Sequence, residues 1–287
     1  MKKILYILIT FILLCSCSKK EVVFSTRSIN RLDDRSREFP FTLHSYGYML
    51  VDLADFDILY ASNNDKVIYP ASLTKVLTLD TVLHLAEDLD DVSYVTYDQV
   101  EDLIVEDASL AYIQRDYPYS IRDLLYALNL PSGADAAVAL ENYFEQRGID
   151  LVEQMNILAK ELGCSSSHFV NTTGLHDDDH YTSLNDLFLI VMDTLSFEEG
   201  RKILTSINHR MDDGLLIGSG IRFTYNYKTQ VLGGKTGYTP EAGQNIIVLY
   251  RYRSRPYVLL TCNAMGSFVN DEYWHYDDAL KVFAELY

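Results

Sequence analysis

The sequence predicts an α/β fold in which one sheet takes strands from both ends of the chain and a block of helices lies between them. Three observations predict it. Two short β-prone runs, residues 46–51 and 58–61, flank an acidic stretch in the pattern of a hairpin. Several segments with helical apolar spacing follow. After Gly233 the period changes, and residues 245–252 and 257–263 form two nearly continuous apolar, β-prone runs joined by a turn at 253–256. Runs of that kind suit a sheet covered on both faces.

The helices can be placed in order. Leu73, Val76, Leu77, Leu79, Val82, Leu83 and Leu85 give a helix over 73–86 that is apolar nearly all round, with Ser72 at its start as a favoured cap. Ile121, Leu124, Leu125 and Leu128 stand at i, i+3, i+4 and i+7 behind Ser120 as cap. Residues 134–144 form the next helix. Leu151, Met155, Leu158, Ala159 and Leu162 form another, closed by Gly163. Ser183 caps one running through 187–192, and a last helix covers 276–286.

The first sixteen residues read as a targeting segment. Lys2 and Lys3 precede an apolar run over 4–14, too short for a comfortable membrane span. Leu14, Cys15, Ser16 and Cys17 follow in the pattern of a bacterial lipobox. By that resemblance Cys17 is lipidated and becomes the mature N-terminus, anchoring an exported protein to the membrane. A plain signal peptide cut nearby is the alternative. Residues 17–40 read as a polar tether without apolar period, and residues 41–287 as the folded domain.

Composition narrows the partners. The 287-residue chain is 48% hydrophobic, enough for a sizeable core, and carries a formal charge of −17. That charge opposes binding to nucleic acid or an anionic lipid surface. Cys164 and Cys262 lack the spacing of a zinc or redox site and read as buried apolar residues.

The chemistry gathers at a few motifs. Ser72 and Lys75 stand at i and i+3, on one face of a helix start, where burial lowers an amine pKa and suits it to act as a base. Spacing alone does not single them out, because Ser16 and Lys19 share it. Gly233, Gly234, Lys235, Thr236 and Gly237 lead into a strand with Tyr238. A cation and a hydroxyl there would hold a substrate carboxylate, and the glycines would leave backbone room for an extended peptide.

PASLTK at 70–75, PSGADAA at 131–137, HFVNTTGL at 168–175 and GGKTGYTPEAG at 233–243 together resemble the D-alanyl-D-alanine carboxypeptidase family, serine peptidase family S11, in family order. The resemblance spans residues 41–265. It implies a β-lactamase/D,D-peptidase-like fold, an antiparallel sheet flanked by helices with an inserted all-helical subdomain. It implies Ser72 as nucleophile, Lys75 as its base and Ser132 as a proton relay. Lys235 and Thr236 would hold the terminal carboxylate, and the backbone N–H groups of Ser72 and Tyr238, beside Gly237, would form an oxyanion hole. The implied partners are peptidoglycan stem peptides ending in D-Ala-D-Ala and β-lactams. No cofactor and no metal are implied.

This chain departs from the family in one place, with Ala134 where Ser-x-Asn is usual. That keeps two alternatives open: a catalytically impaired peptidoglycan-binding lipoprotein, and a class A-like β-lactamase. No Glu-x-x-x-Asn element precedes residue 235 to support the second. Endopeptidase cleavage of cross-links also remains open. The run His176, Asp177, Asp178, Asp179, His180 reads as a solvated loop rather than a metal cluster, and His168 and Asn171 read as structural.

Overall fold

A computed structural model describes residues 37–221 and 229–286. The expected leader over 1–16, Cys17 and most of the expected tether lie outside the described residues. The chain opens with β1 (Gly47–Asp52) and β2 (Asp57–Ser62), then a 3-10 turn (Ala71–Leu73) that runs into α1 (Thr74–Leu85). The helical block follows: β3 (Val92–Ser93), α2 (Tyr97–Val105), β4 (Tyr119–Ser120), α3 (Ile121–Asn129), α4 (Ala134–Glu145), α5 (Leu151–Leu162), α6 (Leu184–Thr194) and α7 (Glu198–Leu204). A small hairpin, β5 (Asn208–Arg210) and β6 (Leu216–Gly218), precedes β7 (Thr229–Thr239), β8 (Gly243–Tyr252), β9 (Arg255–Ala264) and α8 (Trp274–Leu286).

The main sheet has the order β2-β1-β9-β8-β7, with every pair antiparallel. Strands from both ends of the chain therefore meet at β1 and β9, where Gly47 pairs with Cys262 and Asp52 with Tyr257. The period-two alternation sorts each strand onto two cores. Met49, Val51, Ile247, Leu249, Val258 and Leu260 face the helical block. Tyr48, Leu50, Ile246, Val248 and Leu259 face α8, against Val282 and Phe283. Both faces are covered, which is why the strands read as continuous apolar runs. Burying each such side chain contributes roughly 1.5–3 kcal/mol.

Local signals account for several helix ends. Ser120 caps α3 by accepting from Asp123 N at 3.1 Å, and Ser183 caps α6 by accepting from Asp186 N at 3.1 Å. Gly163 closes α5 at φ +92°. Arg253 and Ser254, both at positive φ, turn β8 into β9. Cys164 and Cys262 are free thiols.

Three differences from expectation have physical causes. The folded part takes in residues assigned to the tether: Phe39 is buried among Phe41, Tyr48 and Tyr60, and Arg37 O accepts from Ala61 N at 2.9 Å. Ser72 does not cap α1. Leu73 holds the cap position without a side-chain bond, because the Ser72 hydroxyl faces Lys75 instead. An unexpected helix, α2, carries a capping box of Thr96 and Gln99 and buries only Val100 and Leu103, so its acidic face masks it.

Candidate active site

α1 is buried on nearly all sides, packed against α3, α5, α6 and α7, and the site sits at its N-terminus. The turn before it is fixed by contacts from three distant segments. Ala71, directly before Ser72, has φ +48°, a conformation that costs a non-glycine residue about 1–3 kcal/mol. Thr74 Oγ1 donates to Ala71 O at 2.8 Å and lies 2.7 Å from His180 Nε2. Val170 N donates to His180 Nδ1 at 3.2 Å, so the proton of this ring is on Nε2. Burial pulls the His180 pKa down to about 4 and keeps the ring neutral. His180 thus bridges the Ser72 turn, through Nε2, to the loop at Val170, through Nδ1.

From the sheet, Asn245 Nδ2 donates to Tyr69 O at 3.0 Å and Pro70 O at 3.2 Å, while its Oδ1 accepts from Asn263 N at 2.8 Å. One buried amide therefore ties the segment before Ser72 to β8 and β9. From the loop after α5, Gly174 packs its backbone on the same turn at φ +77°.

Ser72 Oγ lies 3.1 Å from Lys75 Nζ, which also donates to Thr173 O at 2.6 Å. Lys75 is fully buried while Ser72 stays partly accessible. Burial pulls the Lys75 pKa from 10.5 to about 7, against the opposing pull of the Asp135 carboxylate. A neutral amine is therefore available near neutral pH to take a proton from the hydroxyl. Asp135, itself pushed up by burial, accepts from Ala111 N, Ile113 N and Ala136 N. The loop holding Thr173 is ordered by Asn171, whose Oδ1 accepts from Thr173 N and Gly174 N.

β7 forms the edge of the sheet and passes alongside the Ser72 turn. A Cβ on Gly237 would lie 3.0 Å from Ser72 N and 2.8 Å from Pro70 O, so only a bare backbone approaches this closely. Lys235 is buried, and its Nζ donates to Thr236 O at 2.8 Å. Burial first, and then the nearby Lys75, hold the Lys235 amine well below its ordinary range. An anion brought between the two lysines would restore their charge. Tyr238 is exposed, its ring edge-on to Phe268.

Ser132 occupies the turn between α3 and α4 at φ +67°, with a buried Oγ that has no hydrogen-bond partner. Leu130 O in the same turn accepts from Gly220 N at 2.9 Å, and a Cβ on Gly220 would lie 3.0 Å from Thr236 Oγ1. The Ser132 turn and β7 are thereby linked through residue 220. Ala134 is buried, its N donates to Ser109 O at 2.8 Å, and its methyl offers no amide at this position.

The structure thus brings Ser72, Lys75, Lys235 and Gly237 together. Cys17 lies outside the described residues. Asp135, Thr173, Gly174, His180 and Asn245 shape the site without having been singled out for it. Asn245 had one signal in the sequence, a polar residue opening the apolar run over 245–252.

The family model for D-alanyl-D-alanine carboxypeptidase matches residues 34–265. The chain is 28% identical over 204 residues to D-alanyl-D-alanine carboxypeptidase DacF of Bacillus subtilis, covering 68% of this chain and 51% of that protein. It spans about half the length of that relative. A point mutant of the Streptomyces K15 DD-transpeptidase superposes with a TM-score of 0.75 at 22% identity, over 85% of this chain and 98% of that one. Penicillin-binding protein D2 of Listeria monocytogenes, in its ampicillin-bound form, gives 0.70 at 24% identity, over 85% and 97%. These two likenesses show a D,D-peptidase fold, and the match of the family model over most of the described residues shows that the chain belongs to the D-alanyl-D-alanine carboxypeptidase family.

Proposed function

We propose that this chain is a serine D-Ala-D-Ala carboxypeptidase that trims the terminal D-alanine from peptidoglycan stem peptides. The observation that carries the proposal is the 3.1 Å approach of Lys75 Nζ to Ser72 Oγ, with the amine buried and poised near neutral pH. Ser72 Oγ attacks the carbonyl carbon of the penultimate D-alanine as Lys75 takes the hydroxyl proton. The N–H groups of Ser72 and Tyr238 stabilise the oxyanion, supported by the close passage of β7 at Gly237. The C–N bond breaks, and Ser132 relays a proton to the leaving D-alanine nitrogen; its unpartnered hydroxyl supports that role. Lys235 and Thr236 hold the terminal carboxylate. Water then cleaves the Ser72 ester, releasing the shortened peptide and returning the proton to Oγ.

β-Lactams would acylate Ser72 by the same attack. The lipobox pattern at Cys17 supports anchorage of the exported chain to a membrane by its N-terminal lipid. Among the described residues no helix is long and apolar enough to cross a membrane.

One observation favours a second reading. Ala134 supplies no side-chain amide where the family has Asn, which suits a slowed enzyme retained as a peptidoglycan-binding lipoprotein. Fluorescent penicillin and a D-Ala-D-Ala peptide, applied to the chain and to Ser72→Ala, separate the readings. Ser72-dependent label with D-alanine release supports the carboxypeptidase. Label without release supports the impaired binder, and the absence of both removes the enzyme reading. Rapid loss of label identifies a β-lactamase.

A further inference from the structure

Away from the Ser72 turn, the lower half of α1 carries a buried carboxylate that the proposed chemistry does not use. Asp80 is fully buried, and neither of its carboxylate oxygens has a hydrogen-bond partner. The neighbouring Thr194 hydroxyl donates to Ile190 O at 2.8 Å, and burial first, then the nearby Asp193, pushes the Asp80 carboxyl well above its ordinary range. A buried carboxylate left without a donor is among the most costly arrangements a fold can hold.

Two further ligand residues converge on it. His84 follows Asp80 by four residues on the same face of α1, and Asp193 comes from the last turn of α6. His84 Nε2 lies 2.6 Å from Asp193 Oδ2, and one ligand atom from each of the three residues falls within 4.8 Å of the other two. Phe197 packs edge-on against the His84 ring at 4.8 Å and orients it. His84 and Asp193 are part-exposed while Asp80 lies beneath them, so the cluster opens to solvent at one end. Among the described residues, no lysine or arginine pairs with either carboxylate.

We propose that Asp80, His84 and Asp193 form a binding site for a divalent cation of the zinc type, which ties the C-terminal half of α1 to α6. Two carboxylates and one imidazole make an oxygen and nitrogen donor set suited to such an ion, with a water completing the tetrahedron. Ligand atoms around tetrahedral zinc stand about 3.4 Å apart given bonds of ~2.1 Å. The ion would give Asp80 the partner it lacks. Because α1 carries Lys75 at its other end, about 7.5 Å of helix from Asp80, and Ser72 lies in the turn just before it, the site would brace the helix from beneath without touching the reaction.

The test uses the full chain in detergent, stripped with EDTA and dialysed, then titrated with zinc chloride by calorimetry and followed by thermal unfolding. One equivalent should bind and raise Tm, and Asp80→Asn or His84→Ala should each weaken binding by about tenfold or more. His176→Ala, in the separate histidine-bearing loop, should bind as the parent does. No heat and no Tm shift at millimolar zinc would overturn the proposal, as would undiminished binding by both variants, which places the ion elsewhere. If the parent ignores zinc and Asp80→Asn is more stable, the two carboxyls share a proton and the proposal fails. Should Asp80→Asn not fold, His84→Ala, an exposed position, decides.

Discussion

Gly174 has no room for a side chain, because a Cβ there would lie 2.0 Å from the carbonyl oxygen of Ala71. The glycine also has φ +77°, so its two liberties, a left-handed backbone and a missing methyl, are both used to seat the loop of Thr173 against the Ser72 turn.

Gly174→Ala should therefore shift the turn as well as strain the loop. The backbone conformation alone costs about 1–3 kcal/mol, and displacing Ser72 from Lys75 should slow acylation on the order of a hundredfold. Thermal unfolding and the rate of penicillin labelling measure the two effects separately. Labelling at the parent rate would show that the turn is not held by this contact.

The pH dependence follows from Lys75. Its pKa in the folded chain is about 7, against 10.5 for a free lysine. Acylation should rise with pH through about 7 as the amine loses its proton. Asp135 pulls that pKa upward, so Asp135→Asn should move the rising limb to lower pH. A limb that stays in place, in labelling rates measured across pH 5–9, would dismiss Asp135 as an influence on the base. The stability sign is also fixed. Between about 7 and 10.5 the unfolded chain holds a Lys75 proton that the folded chain has released, so this group makes stability increase with pH across that window.

Ser132→Ala separates function from folding. The buried hydroxyl has no partner, so its removal breaks no hydrogen bond, relieves an unsatisfied polar group and should leave the variant at least as stable as the parent. If Ser132 passes the proton to the leaving group, D-alanine release should fall by roughly a hundredfold or more. A destabilised variant with unchanged turnover would reverse the assignment.

Much of the architecture was legible because the physics that builds it is local and periodic. Residues 245–252 and 257–263 read as strands since both faces of the sheet are covered, and Ser120, Ser183 and Gly163 mark helix ends through their own backbones. Propensity misled at Ser72, whose hydroxyl is drawn from the cap position to Lys75. It also passed over α2, where only two of nine side chains are buried. The site was legible at Ser72, Lys75 and residues 233–237 through residue type. Its supports were not. Thr173 acts through a carbonyl that any residue could present. His180 and Asn245 reach the Ser72 turn from 106 and 175 residues away or more, with no spacing to announce them. Ala134 looked like the weak point, yet the polar surroundings of Lys75 come from Thr173 and from Asp135, the very next residue.

The pairing of β1 with β9 has a consequence in time as well as space. Ser72 and Lys75 follow the first hairpin, while Lys235 and Gly237 precede the last one, and the ladder joining Gly47 to Cys262 holds the two groups in register. Closing so long a loop is slow compared with forming the helices within it. Ser72 and the β7 edge therefore meet only after nearly the whole chain has been placed. A nascent polypeptide carries every residue of the candidate site without its geometry, which the pairing of β1 with β9 completes late.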